Sequence, residues 1–547
     1  MTQTATTPAE DLLFGLTRLI DLPGLTAAAG APLGQEDIAA VLAEAERFSR
    51  EVLWPNCQPA DRHGAVYENG VVRTPPGYRE AYRAWVEGGW QSVAAPASLH
   101  GVELGGQALP NAVWVAVQEM ICAADMAFSL CPLLTAGAIE ALTRFATPDQ
   151  AARWLPPRVS GEWTGSMCLT EPPAGSDLGL MRTRAEPAGD GTWRLHGQKI
   201  FITYGEHDLT PNTLHLVLAR LPDAPPGTRG ISLFAAPKVL PDGRRNALRC
   251  GGIERKMGIH ASPTCVMLFE GAEAELVGEP HRGLHAMFAM MNDARLNVGL
   301  QGVAQGARAL ALAEAYAAER LQGGGPIARH PDVARMLAEM RAITLAGRLM
   351  VLEAAACIDR AKLLHEAGAE TRLALLIPIV KAWCTDRGVE VASLGVQVHG
   401  GMGFVEDTGA AQVLRDARIA PIYEGTNGIQ AIDLVSRKVL RDGGAAMRAL
   451  IAEMAAEPAL ADAVAALTRA TDWLLAQAER PDAAQASAVA YLELAGWTLG
   501  GWLLTRAAAL EPRYAAIAAF YLKRLLPRAL ARGAEIEAAE EVLALIA

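Results

Sequence analysis

Apolar positions along this chain follow two periods. From Glu36 to about Arg158 they recur at helical spacing, as in Ile38, Val41, Leu42 and Ala45. Ahead of them, residues 1–36 read as an irregular lead with one apolar patch, Asp11-Leu12-Leu13-Phe14-Gly15-Leu16. Gly101-Val102-Glu103-Leu104-Gly105-Gly106-Gln107 reads as a loop, and Leu109-Pro110 opens the next helix. After Gly161 the period drops to two, in Leu214, Leu216 and Leu218, in Ile231 and Leu233, and in Val266 and Leu268. Turns at Pro225-Pro226-Gly227 and Pro241-Asp242-Gly243 punctuate these strands, which predicts a compact β-domain between helical regions. From Gly283 the helical period returns over roughly 283–320, 332–366 and 371–398, with Gly323-Gly324-Gly325-Pro326 as a loop. A further helix after Ile429, carrying Ile432, Val435 and Val439 on one face, completes a predicted four-helix bundle. An Ala/Leu-rich helical region follows to the end, with no cluster of catalytic groups, which suits packing or assembly. The predicted parts are 1–36, 37–159 (helical), 160–282 (β), 283–440 (bundle) and 441–547 (additional helical domain).

Composition narrows the function classes. A chain of 547 residues, 51% hydrophobic, can bury several cores, roughly three or four domains. A net charge of −11 with no dense Lys/Arg stripe argues against nucleic-acid binding. Eight dispersed cysteines without a CxxC pair suit reduced thiols and a cytoplasmic protein. Met1-Thr2-Gln3-Thr4-Ala5-Thr6-Thr7 has no basic or apolar leader region. The apolar stretch Val113 to Leu142 is broken by Gln118, Glu119 and Asp125, which suits buried helices rather than a transmembrane segment.

Four segments carry candidate chemistry. In Arg415-Asp416-Ala417-Arg418-Ile419-Ala420-Pro421-Ile422-Tyr423-Glu424-Gly425-Thr426-Asn427-Gly428-Ile429-Gln430, one carboxylate sits at a helix–helix junction among apolar residues. Desolvation there would raise the Glu424 pKa above the usual ~4.3 and make it a stronger base. Thr426 or Asn427 could cap the following helix; a capped turn with a solvated glutamate is the plain alternative. Cys168-Leu169-Thr170-Glu171-Pro172-Pro173-Ala174-Gly175-Ser176-Asp177-Leu178 offers hydroxyls and backbone N–H groups to a heterocycle, or is an ordinary loop. Gln198-Lys199-Ile200-Phe201-Ile202-Thr203 reads as a strand with an aromatic and a hydroxyl on one side. Gln397-Val398-His399-Gly400-Gly401-Met402-Gly403-Phe404 is a glycine loop ending a helix; it is not GxGxxG and follows no strand. His281 and His285 lack the Glu of HExxH, so no metal site is expected, and no Gly-x-Ser-x-Gly elbow or P-loop appears.

In this order and at this spacing, the four segments resemble the FAD-dependent acyl-CoA dehydrogenases over about residues 36–440. The early apolar patch, Lys256-Met257-Gly258-Ile259-His260-Ala261-Ser262-Pro263-Thr264 and the additional C-terminal region resemble the larger subgroup typified by 3-methylmercaptopropionyl-CoA dehydrogenase and broad-range bacterial enzymes. The resemblance implies a mainly α fold with a β-barrel-like middle domain and an extra C-terminal helical domain, with FAD between middle domain and bundle. It implies Thr170, Phe201 and Thr203 at the flavin ring, and Arg320, Gln322, Gln397, Gly400 and Gly401 at the pyrophosphate and adenosine of a partner subunit's FAD. Thr426 would contact the FAD beside which Glu424 works. Ser176, Asn292, Arg295, Tyr423 and Gly425 would line the acyl-CoA path.

By the same resemblance Glu424 removes the α-proton of an acyl-CoA thioester and the β-hydrogen leaves as hydride to flavin N5. The product is a 2-enoyl-CoA. The Glu424 N–H and a flavin ribityl hydroxyl polarise the thioester oxygen. Electrons pass to an electron-transfer flavoprotein, and the protein is a homo-oligomer, at least a dimer. An acyl-CoA oxidase using oxygen and a non-catalytic flavin- or CoA-binding scaffold are the rival readings. Three positions depart from the pattern. Gly323 stands where many relatives carry Phe. Gly428 replaces a side chain that touches FAD. Ala294 occupies the place of the alternative base, with Asp293 beside it.

Overall fold

The computed structural model describes residues 9–189 and 191–545. The reading of residues 1–7 as lacking a leader falls outside the described residues, as do Asp190, residues 546–547 and the side chains of Ala289 and Asn292. The chain divides into two compact units, one formed by 49–110 and 124–294, the other by 9–48, 111–123 and 295–545.

The first unit is organised by seven strands. Thr264–Val277, Trp193–Thr203, Arg184–Pro187, Asn212–Arg220 and Ile231–Pro237 pair in that order, and Ile231–Pro237 pairs back onto Thr264–Val277, closing a ring. Leu248–Ile253 and Trp163–Cys168 add to its edges. Asn212–Arg220 is buried on both faces because two cores flank it. Leu214, Leu216 and Leu218 face a core shared with the helix Met126–Phe145, while Val217 and Ala219 face one filled by Leu195, Phe234, Met267 and Phe269. Gly165 is where that helix comes closest, since a Cβ there would collide with Ala138. Along Thr264–Val277 the deeply buried face is Cys265, Met267 and Phe269; Val266 and Leu268, the pair expected from alternation, lie on the half-buried side. That strand is apolar on both faces, so period alone could not orient it. The helical reading of 37–159 also missed two short hairpins, Val66–Glu68 with Val71–Arg73 and Ser98–Leu99 with Val102–Glu103, the last strand inside the expected loop.

The second unit is helical. Gly283–Glu319, which begins in the first unit, Pro331–Leu364 and Ala369–His399 are its long elements. Gly302 and Gly388 let Gly283–Glu319 and Ala369–His399 touch, since a Cβ on Gly388 would fall 2.7 Å from the Gly302 Cα. The 323–326 segment, expected as a loop, is a tight turn pairing Leu321–Gln322 with Gly325–Pro326. Residues 9–28 are not irregular, contrary to the sequence reading. They form Ala9–Phe14, a wider-pitched turn Gly15–Leu19, and Leu22–Ala28, which Asp21 caps by accepting from the Gly24 N–H. Leu12, Phe14 and Leu16 are buried, and Gly15 leaves no room for a side chain beside Leu352. The Asp11 carboxylate reaches Arg348 at 3.0 Å, and Arg348 also holds the buried Glu119 at 2.6 Å. Each of these helices spans two turns or fewer, too short for a recurring period, so tertiary contacts decide their shape. In the C-terminal region Ala488–Leu510 lies on Ala369–His399, with Trp383 and Trp497 edge-to-face at 5.1 Å and Gly496 making room for Trp383. Among the described residues one helix, Met126–Phe145, is long and apolar enough to cross a membrane, but 83% of its apolar window is buried within the protein.

Candidate active site

The Ile422–Gln430 stretch forms a turn under load. Ala410–Ala417 ends before Pro421, and the chain then reverses through hydrogen bonds from Tyr423 N–H to the Ile419 carbonyl and from Asn427 N–H to the Pro421 carbonyl. Glu424 adopts φ +57°, a left-handed conformation that a non-glycine residue holds only where its surroundings impose it. Gly425 follows at φ +86°; a Cβ there would lie 2.7 Å from Gln430 Nε2, so glycine is required twice over. Thr426, not Asn427, caps Asn427–Asp433 by accepting from the Ile429 N–H at 3.3 Å.

Three cationic or amide side chains hold this turn. The Glu424 carbonyl accepts from Arg295 Nε at 3.4 Å and from Gln430 Nε2 at 3.3 Å. The Gly425 carbonyl accepts from Lys381 Nζ at 2.8 Å. Among the described residues the Glu424 N–H has no acceptor. Burial pushes the Glu424 carboxyl above the usual carboxylate range, and the Arg295 guanidinium, then the Lys381 ammonium, pull it back. Burial is the largest influence on Lys381 too, taking its ammonium down to about 7 against the opposing pull of Glu424 and Asp386. The Tyr423 hydroxyl donates to Gln301, which ties the residue before Glu424 to the helix Gly283–Glu319. Ala294 is buried and carries no carboxylate.

The other candidates fall into two further groups. At the far end of the bundle, Tyr316 stacks on His399 at 4.5 Å. This brings the exposed Arg320 and Gln322 beside the exposed Gln397, Gly400 and Gly401. Lys381 and Gln397 share one helix and stand about 24 Å apart at about 1.5 Å per residue. The Arg320–Gln397 group is therefore separate from the Glu424 turn within one chain. A Cβ on Gly400 or Gly401 would meet nothing within 4 Å, so backbone there is open to close approach. At Gly428 a Cβ would meet only Thr426 Oγ1, at 3.9 Å.

In the first unit, Phe201 stands at φ +59° on Trp193–Thr203, where the pairing with Thr264–Val277 slips between Cys265 and Met267. The residue keeps 58% of its surface exposed, and Thr203 on the same strand is half-buried. The half-buried Thr170 anchors this strand through its carbonyl, which accepts from the Ile200 N–H at 2.9 Å. Ser176 is exposed on the same loop.

Sequence reasoning missed two supports. Glu171 in the Cys168–Leu178 loop is buried, paired with Lys199 at 2.8 Å, and accepts from the N–H groups of Arg182 and Thr183. Lys381 is the other. Its signal was present: a single lysine inside Leu375-Leu376-Ile377-Pro378-Ile379-Val380-Lys381-Ala382-Trp383 needs a buried partner.

The chain matches four family descriptions in sequence order. These are "Acyl-CoA dehydrogenase, N-terminal domain" over residues 35–162, "middle domain" over 166–272, "C-terminal domain" over 281–440, and "Acetyl-CoA dehydrogenase C-terminal like" over 444–546. It is 46% identical to the 3-methylmercaptopropionyl-CoA dehydrogenase of Ruegeria pomeroyi over 531 residues, 91% of this chain and 90% of that protein. Its fold is that of Caenorhabditis elegans ACDH-11, solved in complex with C11-CoA (TM-score 0.77, 23% identity, 96% of this chain and 91% of that one). It is also that of an acyl-CoA dehydrogenase from Bacillus anthracis complexed with FAD (TM-score 0.77, 21% identity, 94% and 88%). The matched domains, running in order from residue 35 to residue 546, show that this chain belongs to the acyl-CoA dehydrogenase family, FAD-dependent oxidoreductases, with the additional C-terminal domain of its larger members.

Proposed function

We propose that Glu424 is the base that removes the α-proton of an acyl-CoA thioester in the α,β-dehydrogenation giving a 2-enoyl-CoA. The observation that carries this reading is a carboxylate in an enforced left-handed turn, pushed up by burial, with its own N–H unspent. A carboxyl above the usual range is better matched to a weakly acidic C–H than an ordinary glutamate. The free N–H suits the thioester oxygen, where charge develops as the proton leaves. Arg295 and Gln430 fix the Glu424 carbonyl, which holds the backbone of the turn at this residue.

The residues present fit FAD. An exposed aromatic ring with neighbouring hydroxyls, Phe201 with Thr170 and Thr203, suits an isoalloxazine, and the open backbone at Gly400 and Gly401 suits a dinucleotide. When bound, FAD supplies the acceptor for the β-hydride. Arg320, Gln322 and Gln397 stand too far along the bundle from Glu424 to serve the same end of one cofactor, which supports their use on a second copy's FAD and hence a homo-oligomer. Thr426 completes the cofactor contacts on the Glu424 side, and Ser176, Asn292, Arg295, Tyr423 and Gly425 the substrate path. The division at about 36, 159, 282 and 440 belongs to the same reading, as do a cytoplasmic location and an electron-transfer flavoprotein as acceptor. All eight cysteines are free and buried, which suits a reducing compartment.

The test is Glu424→Gln, which keeps shape and removes the base. Titrations should show FAD and acyl-CoA still bound. Anaerobic bleaching of the flavin, by the best substrate from an acyl-CoA panel that includes 3-methylmercaptopropionyl-CoA, should slow by at least about 10²-fold. Bleaching at the unaltered rate would remove Glu424 from the chemistry.

A further inference from the structure

The base is held from beneath by a group the family assignment does not use. Lys381 is fully buried in the middle of Ala369–His399. It donates 2.8 Å hydrogen bonds to the Gly425 carbonyl and to Asn427 Oδ1. Asn427 is itself fixed on the same helix, donating to the Ala382 carbonyl at 3.1 Å, to Thr385 Oγ1 at 3.0 Å and to Asp386 Oδ1 at 2.8 Å. The turn that carries Glu424 is thus pinned on one helical turn, Lys381 to Asp386.

A buried ammonium is costly unless it is paired. The two acceptors it touches, a carbonyl and an amide oxygen, are neutral. The charges that face it are the Glu424 and Asp386 carboxylates, which favour its ionised form, and the Arg295 guanidinium, which opposes it. Asp386 is partly satisfied by Asn427 and also feels Arg387 and Glu493, while Arg295 also faces Asp433 and Arg437. Among the described residues, the cations that act on the Glu424 carboxyl are Arg295 and Lys381. Two cations therefore face one carboxylate, and each donates to a carbonyl of the turn that carries it.

We propose that Lys381 is a positioning residue for Glu424: its ammonium pins the 424–427 turn through Gly425 and Asn427 and, with Arg295, keeps the half-buried carboxylate ionised and ready to take a proton. The inference rests on Glu424 being the base. A spacer alone would need only a hydrogen-bond donor at this position, whereas the proposal requires a charge.

The experiment separates the two. Holoenzyme with Lys381→Met, Lys381→Gln and Lys381→Arg is compared with wild type and with Glu424→Gln. The rate of anaerobic flavin bleaching at saturating acyl-CoA is followed across its acid limb. Lys381→Gln keeps a donor for the Gly425 carbonyl without the charge, and it carries the test if Lys381→Met yields no folded protein. Both neutral variants should move the acid limb upward by about one to three units, the effect of an adjacent opposite charge on a carboxylate. Lys381→Arg should restore it. Infrared titration of the Glu424 carboxyl, taken as the difference between each variant and its Glu424→Gln double, should show the same shift. If Lys381→Gln keeps the wild-type limb and infrared titration while Glu424→Gln is inactive, the base stands and the proposal for Lys381 is overturned. If Glu424→Gln bleaches normally, the base assignment itself has failed.

Discussion

Gly425→Ala puts a methyl group where the turn has no space for one. Two costs can be read from the geometry. At φ +86° a residue with a Cβ loses roughly 1–2 kcal/mol relative to glycine. The new Cβ would also stand 2.7 Å from Gln430 Nε2, the donor to the Glu424 carbonyl. Gln430 is fully buried and its Oε1 already lacks a partner, so its amide cannot swing into water. Losing that bond costs about 0.5–1.5 kcal/mol more. The sum, about 1.5–3.5 kcal/mol, is relieved most cheaply by moving the turn, and Glu424 moves with it. A displacement near 1 Å at a reacting group can cost about 10²-fold in rate. The expected outcome is therefore a bleaching rate down about 10²-fold, with FAD content unchanged and the Glu424 carboxylate retained but displaced. The control is Gly533→Ala, inside Pro527–Glu537, where a Cβ meets only Ala466 at 3.9 Å. Replacing a helical glycine there should stabilise by about 0.5–1 kcal/mol and leave the rate alone. Anaerobic stopped-flow and thermal unfolding of both variants decide it. Wild-type bleaching by Gly425→Ala would refute the claim that this turn geometry sets the position of the carboxylate.

Two further outcomes follow from buried ion pairs. Burial opposes ionisation of Glu171, but Lys199 and the N–H groups of Arg182 and Thr183 hold its carboxyl below the usual range. A depressed carboxylate contributes stability above its unfolded pKa, ~4.3, and loses it as pH falls through the folded value; Lys199→Met, leaving an unpaired buried charge, should cost about 3–5 kcal/mol and lower the thermal midpoint. Arg348→Met strands Glu119 and releases Asp11, so it should destabilise by a similar amount, about 3–5 kcal/mol, and expose 9–28 to limited proteolysis before the rest of the chain.

Long periodic segments were the most legible part of the sequence. The expected 283–320, 332–366 and 371–398 differ from Gly283–Glu319, Pro331–Leu364 and Ala369–His399 by at most two residues, because thirty-residue periods ending at Gly or Pro leave little choice. The turn around Glu424 was legible for a similar reason: Pro421, Gly425 and Thr426 each have one local role. What the sequence could not show were pairings decided across the chain. Lys381 meets Gly425 across 44 residues, and Arg348 meets Asp11 across 337. Local pattern leaves such a lysine or aspartate looking like an interruption in an apolar run. Phe201 is the intermediate case. Its place on a strand was readable, but its left-handed backbone and the slip in register depend on the neighbouring strand.

The C-terminal region is linked to the Glu424 turn through the helix that carries Lys381. In Ala369–His399, Lys381 and Thr385 are four residues apart and face the Glu424 turn, where both bond Asn427. Trp383 and Arg387, also four apart, face the opposite way, onto Ala488–Leu510. There Trp383 meets Trp497, while Arg387 reaches Glu493 at 3.3 Å and lies 5.2 Å over the Trp497 ring. One helical turn is thus gripped on both sides, by the Glu424 turn and by the additional domain. A left-handed glutamate persists only when its surroundings outweigh a strain of about 1–3 kcal/mol. A helix free to slide or rotate could not supply that constraint, because Lys381 would follow the turn as it relaxed. Wedging Trp383 between Gly496 and Trp497 removes that freedom, since the helix cannot rotate without driving an indole into the backbone at Gly496. The region from 441 onward, which holds no candidate catalytic group, thereby contributes rigidity to the floor on which Glu424 stands.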